Sequence, residues 1–185
     1  YPNIRIQLEV DLATEIDARL MQGQLDLALQ SGPFKSTTFA NEALGHENYC
    51  WVANRMLAGQ IDGKPTLADL FELTILTHAK HTQACAALHL MAEKNGLRRE
   101  RIVHSSALSA CVPMVLEGLG VALLPERLLK PELASGDLHK IEMDWVPDPL
   151  SFHARYAPTR AALYVEKAAQ LAKVAMQTPL IKKND

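Results

Sequence analysis

Hydrophobic residues recur with two different periods along the chain, and each period predicts one kind of element. Apolar and polar residues alternate at positions 4–10, which is typical of a strand with one buried face. At positions 13–22 the apolar residues lie four apart and Gly23 follows, which predicts a helix ending in a left-handed glycine. The mainly apolar segment 25–29 predicts a buried parallel strand that leads into a loop.

The rest of the chain continues to alternate between these two periods. Strands are predicted at positions 47–54, 73–76, 102–104, 121–124, 138–143 and 152–156, and helices at 67–71, 82–95, 108–119 and 160–176. Thr82 is expected to cap the second of these helices, and either Ser105 or Ser106 the third. The alternation indicates an α/β fold with mostly parallel sheets, followed by a loose polar tail at 179–185.

Composition and charge exclude several classes of function. Of the 185 residues, 48% are hydrophobic and 22% are charged, as in an ordinary folded protein. The chain balances 19 Lys and Arg against 21 Asp and Glu, whereas a DNA-binding surface normally needs a concentrated positive patch. Apolar stretches fall far short of the ~20 residues of a membrane span. This chain by itself is therefore a poor candidate for contact with DNA or a membrane.

The cysteines and histidines lack the spacing of a metal or catalytic site. Three widely separated cysteines match neither a zinc motif nor a disulfide framework, so we expect reduced core thiols in a cytoplasmic protein. His78 and His81 have no third ligand at a recognisable spacing. Core packing explains Cys85 and His89, four residues apart on one predicted helix, better than reactivity does. With no nucleotide-binding or nucleophile motif either, we expect no enzyme, no cofactor and no metal.

Four short motifs occur in a fixed order along the chain. They are Tyr-Pro followed by the alternating segment at 1–10, Leu-x-x-Gly-x-Leu-Asp-Leu-Ala-Leu at 20–29, Gly-Leu-Gly-Val-Ala-Leu-Leu-Pro-Glu at 118–126, and Gly-x-Leu at 136–138. In this order they resemble the effector-binding domain of LysR-type transcription regulators. The resemblance implies a fold like the type 2 periplasmic binding proteins, in which two lobes joined by two antiparallel crossover strands enclose a ligand cleft. The corresponding bounds are 1–52 with 152–178 for lobe I, 53–151 for lobe II, and 47–53 and 152–157 for the crossovers.

The resemblance also implies a regulatory role and an oligomer. No match is found for the helix-turn-helix, the linker helix or the first strand and helix of lobe I, so DNA contact is expected only through an N-terminal helix-turn-helix absent from this chain. A homodimer or tetramer is implied, with lobe I of one chain against lobe II of another. The matching positions for that interface are Ile4, Ile6, Leu8, Leu108, Val112 and Val115.

Three loops at predicted strand ends are candidate ligand contacts. Helix N-termini next to such loops offer free N–H groups to anions and carbonyls, and the resemblance places the family's ligand contacts in the same loops. Imidazoles and an amine in the second loop favour an organic acid as the small-molecule effector. Helix capping and a solvated loop explain the same residues about equally well. The candidates are Ser31, Gly32, Thr77, His78, His81, Thr82, Ser105 and Ser106.

Two other functions stay open at the level of sequence. A stand-alone solute-binding protein of a transport system would share the fold, and a signal sequence upstream of the chain would favour it. An α/β enzyme with unrecognised catalytic residues is the weaker alternative, which loss of turnover in Ser105→Ala or His81→Ala would support.

Overall fold

The helices and strands follow the predicted alternation and confirm the α/β class. The computed structural model describes residues 1–34, 36–61 and 63–177. The helices are α1 (Ala13–Met21), α2 (Arg55–Ala58), α3 (Leu67–Phe71), α4 (Gln83–Lys94), α5 (Leu108–Leu116), α6 (Lys130–Ser135) and α7 (Leu163–Gln177). The strands are β1 (Ala28–Ser31), β2 (Ala40–Glu47), β3 (Tyr49–Asn54), β4 (Ile75–His78), β5 (Ile102–Ser105), β6 (Val121–Pro125), β7 (Leu138–Ile141) and β8 (Leu150–Tyr156), with a 3₁₀ turn at Glu126–Leu129. The predicted tail at 179–185 lies outside the described residues.

The chain divides into two compact units. Unit 1 contains residues 1–46 and the described residues from 151 onward, and unit 2 contains Glu47–Leu150. The lobe boundary predicted at 52/53 falls inside β3. This strand is hydrogen-bonded to β6 and β7, so it belongs to the sheet of unit 2.

The sheet of unit 2 has five strands in the order β5-β4-β6-β3-β7. Strand β4 runs parallel to β5 and β6, whereas β3 runs antiparallel to β6 and β7. Helices α4 and α5 connect β4 to β5 and β5 to β6, as parallel strands require. The carboxyl ends of β4 and β5 therefore lie next to each other at one edge of the sheet.

Two apolar clusters make up the core of unit 2, and β6 contributes to both. Every residue of β6 is buried, as its uninterrupted apolar sequence predicts. Leu123 packs in the cluster that contains Trp51, whose Nε1 donates to the carbonyl of Trp145 at 3.1 Å. Leu124 packs in the cluster that contains Val115. Just before the strand, a Cβ at Gly120 would collide with the carbonyl of Thr74.

Unit 1 contains a smaller sheet, in which β8 lies between β1 and β2. Strand β1 pairs with β8 in an antiparallel register, so the prediction of a parallel strand at 25–29 is wrong in direction and falls short of the observed end. Helix α1 buries Leu20 completely and Ile16 almost completely, and its end at Gly23, with φ of 75°, confirms the predicted glycine.

A buried ion pair joins α1 to β8 in unit 1. The guanidinium of Arg155 donates to the carboxylate of Asp17, and both side chains are almost fully buried. Gln30 Nε2 also donates to Asp17 Oδ1, at 3.1 Å. The Arg155 guanidinium carbon lies 4.1 Å from the centre of the Phe34 ring. The sequence pattern did not predict this buried contact between Asp17, Gln30 and Arg155.

The predicted strand at 4–10 is wrong. The segment is not part of either described sheet, and the side chains of Ile6, Leu8 and Val10 are 87%, 84% and 92% exposed. Alternating polarity specifies a strand only where a neighbouring strand pairs with its N–H and C=O groups. Among the described residues no such neighbour is present.

The predicted dimer-interface residues of the fifth helix differ in exposure. Val115 is fully buried and Val112 is 9% exposed, and both pack in the cluster that contains Leu124. Both pack within the core of unit 2, which leaves little of either side chain accessible to a second chain. Leu108 is only partly buried and keeps an accessible surface.

Candidate functional site

The ends of β4 and β5 bring two of the predicted ligand loops together. Thr77 is in register with His104, and His78 with Ser105. Because the strands are parallel neighbours, the loops leading to α4 and α5 emerge side by side. Two helix N-termini, each with backbone N–H groups that lack a helical acceptor, therefore follow this edge of unit 2.

Thr77 and His78 form the buried base of this edge. Thr77 is fully buried, and its hydroxyl donates to the Leu123 carbonyl at 3.4 Å. The His78 ring makes an edge contact with Tyr49, with the ring centres 5.3 Å apart. Burial lowers the pKa of His78 to about 4 and raises the pKa of Tyr49 to about 12. Both side chains are therefore uncharged near neutral pH and support the loop above them.

The loop between β4 and α4 presents its polar groups to solvent. Lys80 and His81 are exposed. Thr82 is the N-cap of α4, as predicted, since its hydroxyl accepts from the Cys85 N–H at 3.3 Å and donates to the Ala79 carbonyl at 2.9 Å. The loop therefore combines an amine, an imidazole and a helix N-terminus, a combination that favours an anion.

The serines after β5 do not cap α5. The N-cap is Ala107, which has no side-chain cap. Ser105 Oγ instead donates to the Ala107 carbonyl at 2.8 Å and accepts from its N–H at 3.2 Å, which fixes the turn before the helix. Ser106 is exposed beside it. The prediction of serine capping is wrong because α5 begins at Leu108, one residue later than a cap at Ser106 would require.

The third predicted loop lies in unit 1. Ser31 ends β1, where its backbone pairs with Phe152, and it is partly exposed. Gly32 follows, and the peptide bond between Gly32 and Pro33 is cis. These two residues belong to a different unit from the loops after β4 and β5.

A cysteine and two histidines meet beside the same edge of unit 2, which the sequence did not predict. Cys85 and His89 lie one turn apart on α4, and both face His104 of β5. The Cys85 Sγ and His104 Nδ1 atoms are 3.5 Å apart, and the His89 and His104 rings stack with centres 5.3 Å apart. Burial raises the pKa of Cys85. Burial lowers the pKa of His89, and the charges of His104, Arg99 and Lys80 lower it further.

The sequence pattern assigned Cys85 and His89 to the core, because it linked these two residues to each other but not to His104. Their spacing of four residues is a local signal, whereas His104 joins them through the pairing of β4 and β5. All three cysteines of the chain are free and buried, which confirms the prediction of unpaired core thiols.

A family model of the LysR substrate binding domain matches residues 1–174 of the chain. No curated protein sequence matches this chain. In the part of the chain that the structure describes, no helix is long and apolar enough to cross a bilayer.

Several solved structures resemble the fold at low sequence identity. The regulatory domain of CcmR from Synechocystis PCC6803, solved in complex with 2-PG, has a TM-score of 0.77 and 15% identity, over 96% of this chain and 86% of that one. The apo regulatory domain of HypT from Salmonella typhimurium has a TM-score of 0.75 and 17% identity, over 91% and 81%. Reduced OxyR from N. meningitidis has a TM-score of 0.69 and 18% identity, over 96% and 82%.

Proposed function

The chain belongs to the LysR substrate binding domain family, a family of regulatory domains, and we propose that it senses a small organic anion at the carboxyl ends of β4 and β5. The residues that would contact the anion are His81, Thr82 and Ser106, together with the N-terminal N–H groups of α4. Thr77, His78 and Ser105 would support these residues from below and beside them. Ser31 and Gly32, which belong to unit 1, stay predicted ligand contacts.

One observation carries this proposal: the parallel pairing of β4 with β5 places two loop-to-helix junctions side by side. Lys80 and His81 add positive or hydrogen-bonding groups to the first junction, and both are exposed. The N-cap at Thr82 uses only one N–H of the first turn of α4, which leaves other N–H groups for an acceptor. Among the structures that resemble this fold, one was solved with 2-PG bound and one with sulfate bound.

A thermal-shift screen of small carboxylic acids, each paired with its neutral amide, tests the proposal. An acid present at ~100 times its dissociation constant should stabilise the chain by ~2.7 kcal/mol, and the amide should not. Calorimetry of the best acid should then show affinity reduced ~10-fold or more in His81→Ala, because hydrogen bonds to charged groups contribute about 1.5–3 kcal/mol. Ser106→Ala should reduce the affinity less.

His46→Ala is the matched control, since His46 is also an exposed imidazole but lies in unit 1. It should leave the affinity unchanged. Equal affinity of the parent chain, His81→Ala and Ser106→Ala for the acid would show that the anion binds elsewhere. A screen in which acids and amides stabilise the chain alike would contradict the preference for an anion.

The wider regulatory role is part of the same proposal. The chain would act as a homodimer or tetramer in the cytoplasm and would influence DNA only through a helix-turn-helix segment outside this chain. Ile4, Ile6, Leu8 and Leu108 stay as proposed interface residues. A strict monomer at micromolar concentration, measured by size exclusion with light scattering, would count against the oligomer.

Membership of a regulatory family favours effector sensing over the transport alternative. Catalysis is not part of the proposal, since the substrate-binding domains of this family are regulatory.

A further inference from the structure

We propose that Cys85, His89 and His104 form a zinc-binding site on unit 2, with the fourth coordination position open to an anion or water. This departs from our sequence-based expectation of no metal site. One nitrogen or sulfur atom from each of the three residues lies within 4.8 Å of the other two. Two imidazoles and one thiolate are ligands that zinc prefers, and three protein ligands leave one position of a tetrahedron open.

The observed separation fits tetrahedral zinc. Bonds of about 2.3 Å to sulfur and about 2.0–2.1 Å to nitrogen put two ligand atoms about 3.5 Å apart. The Cys85 Sγ and His104 Nδ1 atoms are 3.5 Å apart. Because β5 is the outermost strand of its sheet and both histidines are only partly buried, an ion can approach from solvent.

A buried nitrogen in the cluster lacks a hydrogen-bond partner. His89 Nδ1 is inaccessible to solvent and accepts or donates no hydrogen bond within the described structure. Buried polar atoms are normally paired, and an ion is one of the explanations for an orphan. A zinc ion between His89 and Cys85 would satisfy this atom.

Zinc binding would displace one proton from Cys85 and move another on His104. His104 Nδ1 also lies 3.1 Å from the His78 carbonyl, to which a protonated nitrogen donates. Zinc bound at Nδ1 would replace that proton, which moves to Nε2, and the Cys85 thiol would release its proton to water. Zinc with one thiolate and two neutral imidazoles carries a charge of +1. Lys80 and Arg99 act on His89 electrostatically, so the fourth position should favour an anion.

The site would fasten the first turn of α4 to the edge strand. The Cys85 N–H is bonded to the Thr82 hydroxyl, which is the N-cap of that helix. A metal held by α4 and β5 would therefore restrain the loop at residues 79–82. The site stands on its own geometry and does not depend on whether that loop binds an organic anion.

Titration of the whole chain with Co²⁺ and then Zn²⁺, in a reductant that is not a thiol, tests the proposal. We expect one Co²⁺ per chain, with an intense near-ultraviolet thiolate-to-metal band and visible bands of tetrahedral strength, all removed by one equivalent of Zn²⁺. Cys85→Ser should abolish the near-ultraviolet band. His89→Gln and His104→Gln should each weaken zinc binding by at least ~100-fold, since even outer-shell partners are worth 10–100-fold.

Two variants separate this site from adventitious binding. Cys50→Ser removes another buried thiol of unit 2, and His46→Gln removes an exposed imidazole of unit 1. Both should keep the spectrum and the zinc affinity. Circular dichroism checks that Cys85→Ser is folded. The variant His104→Gln changes a ligand on strand β5 and provides a second test of the site. The proposal is overturned if no thiolate band forms, if the band survives in Cys85→Ser, or if His46→Gln lowers the zinc affinity as much as His104→Gln does.

Discussion

Removing one partner of the Asp17–Arg155 ion pair should destabilise the chain severely. The Arg155 side chain is 1% exposed and the Asp17 side chain 3%, so Asp17→Asn leaves a guanidinium without its counter-charge in a poorly solvated place. Breaking a buried pair in this way costs about 3–5 kcal/mol. We expect about 3 kcal/mol for Asp17→Asn, because the amide oxygen can still accept from Gln30. In a chain of this length that corresponds to a fall in Tm of roughly 6–12 °C.

Urea unfolding followed by circular dichroism gives the required free energies. Dichroism is needed because both tryptophans, Trp51 and Trp145, lie in unit 2, so their fluorescence reports a different unit from the one that holds the pair. Arg155→Met should cost a similar amount, because it removes the counter-charge of a buried carboxylate. The double variant should cost clearly less than the two single losses added together, since it removes both buried charges.

A half-exposed ion pair in the same unit provides the control. Glu42 and Lys173 lie 3.7 Å apart with side chains nearly half exposed, so Glu42→Gln should cost no more than about 1 kcal/mol. If Asp17→Asn costs as little as Glu42→Gln, or if the two single losses add without coupling, the reasoning about the buried pair is refuted.

Two further predictions concern unit 2. Burial holds the pKa of His78 at about 4, below its ordinary 6.5, so the unfolded chain takes up a proton at a higher pH than the folded chain does. The free energy of unfolding should therefore be unaffected above pH 6.5 and should fall by about 3 kcal/mol as the pH drops to 4. Urea unfolding of His78→Gln should lack this component of the pH dependence. Gly120→Ala should cost at least about 1–3 kcal/mol, because its Cβ would strike the Thr74 carbonyl, whereas Gly59→Ala, with only ordinary contacts, should leave the Tm nearly unchanged.

Elements with local signals were predicted from the sequence. Helix α4 begins after Thr82 and ends before Gly96, whose φ is 64°, and both residues act within one turn of the helix they bound. Strand β6 was predicted from its unbroken apolar run. In each case the neighbouring residues in the chain supply the physical cause, so no knowledge of the tertiary structure was needed.

Features that depend on distant partners were missed. The segment at 4–10 has the pattern of a strand without the neighbour that makes one. Strand β2 was overlooked because only Leu44 within it is buried, which leaves little apolar signal. Arg155 meets Asp17 across 138 residues, and His104 meets Cys85 only because two strands pair. The candidate loops were predicted from the sequence, but which of their residues are exposed and which are buried could be seen only from the arrangement of the strands in the sheet.

The contact between His78 and Tyr49 has a consequence for how the proposed anion site responds to acid. Burial holds the pKa of His78 at about 4 and that of Tyr49 at about 12, so both rings are uncharged near neutral pH. Mild acidification therefore adds no charge to the buried base of the proposed anion site, and the loop at 79–82 rests on an uncharged support.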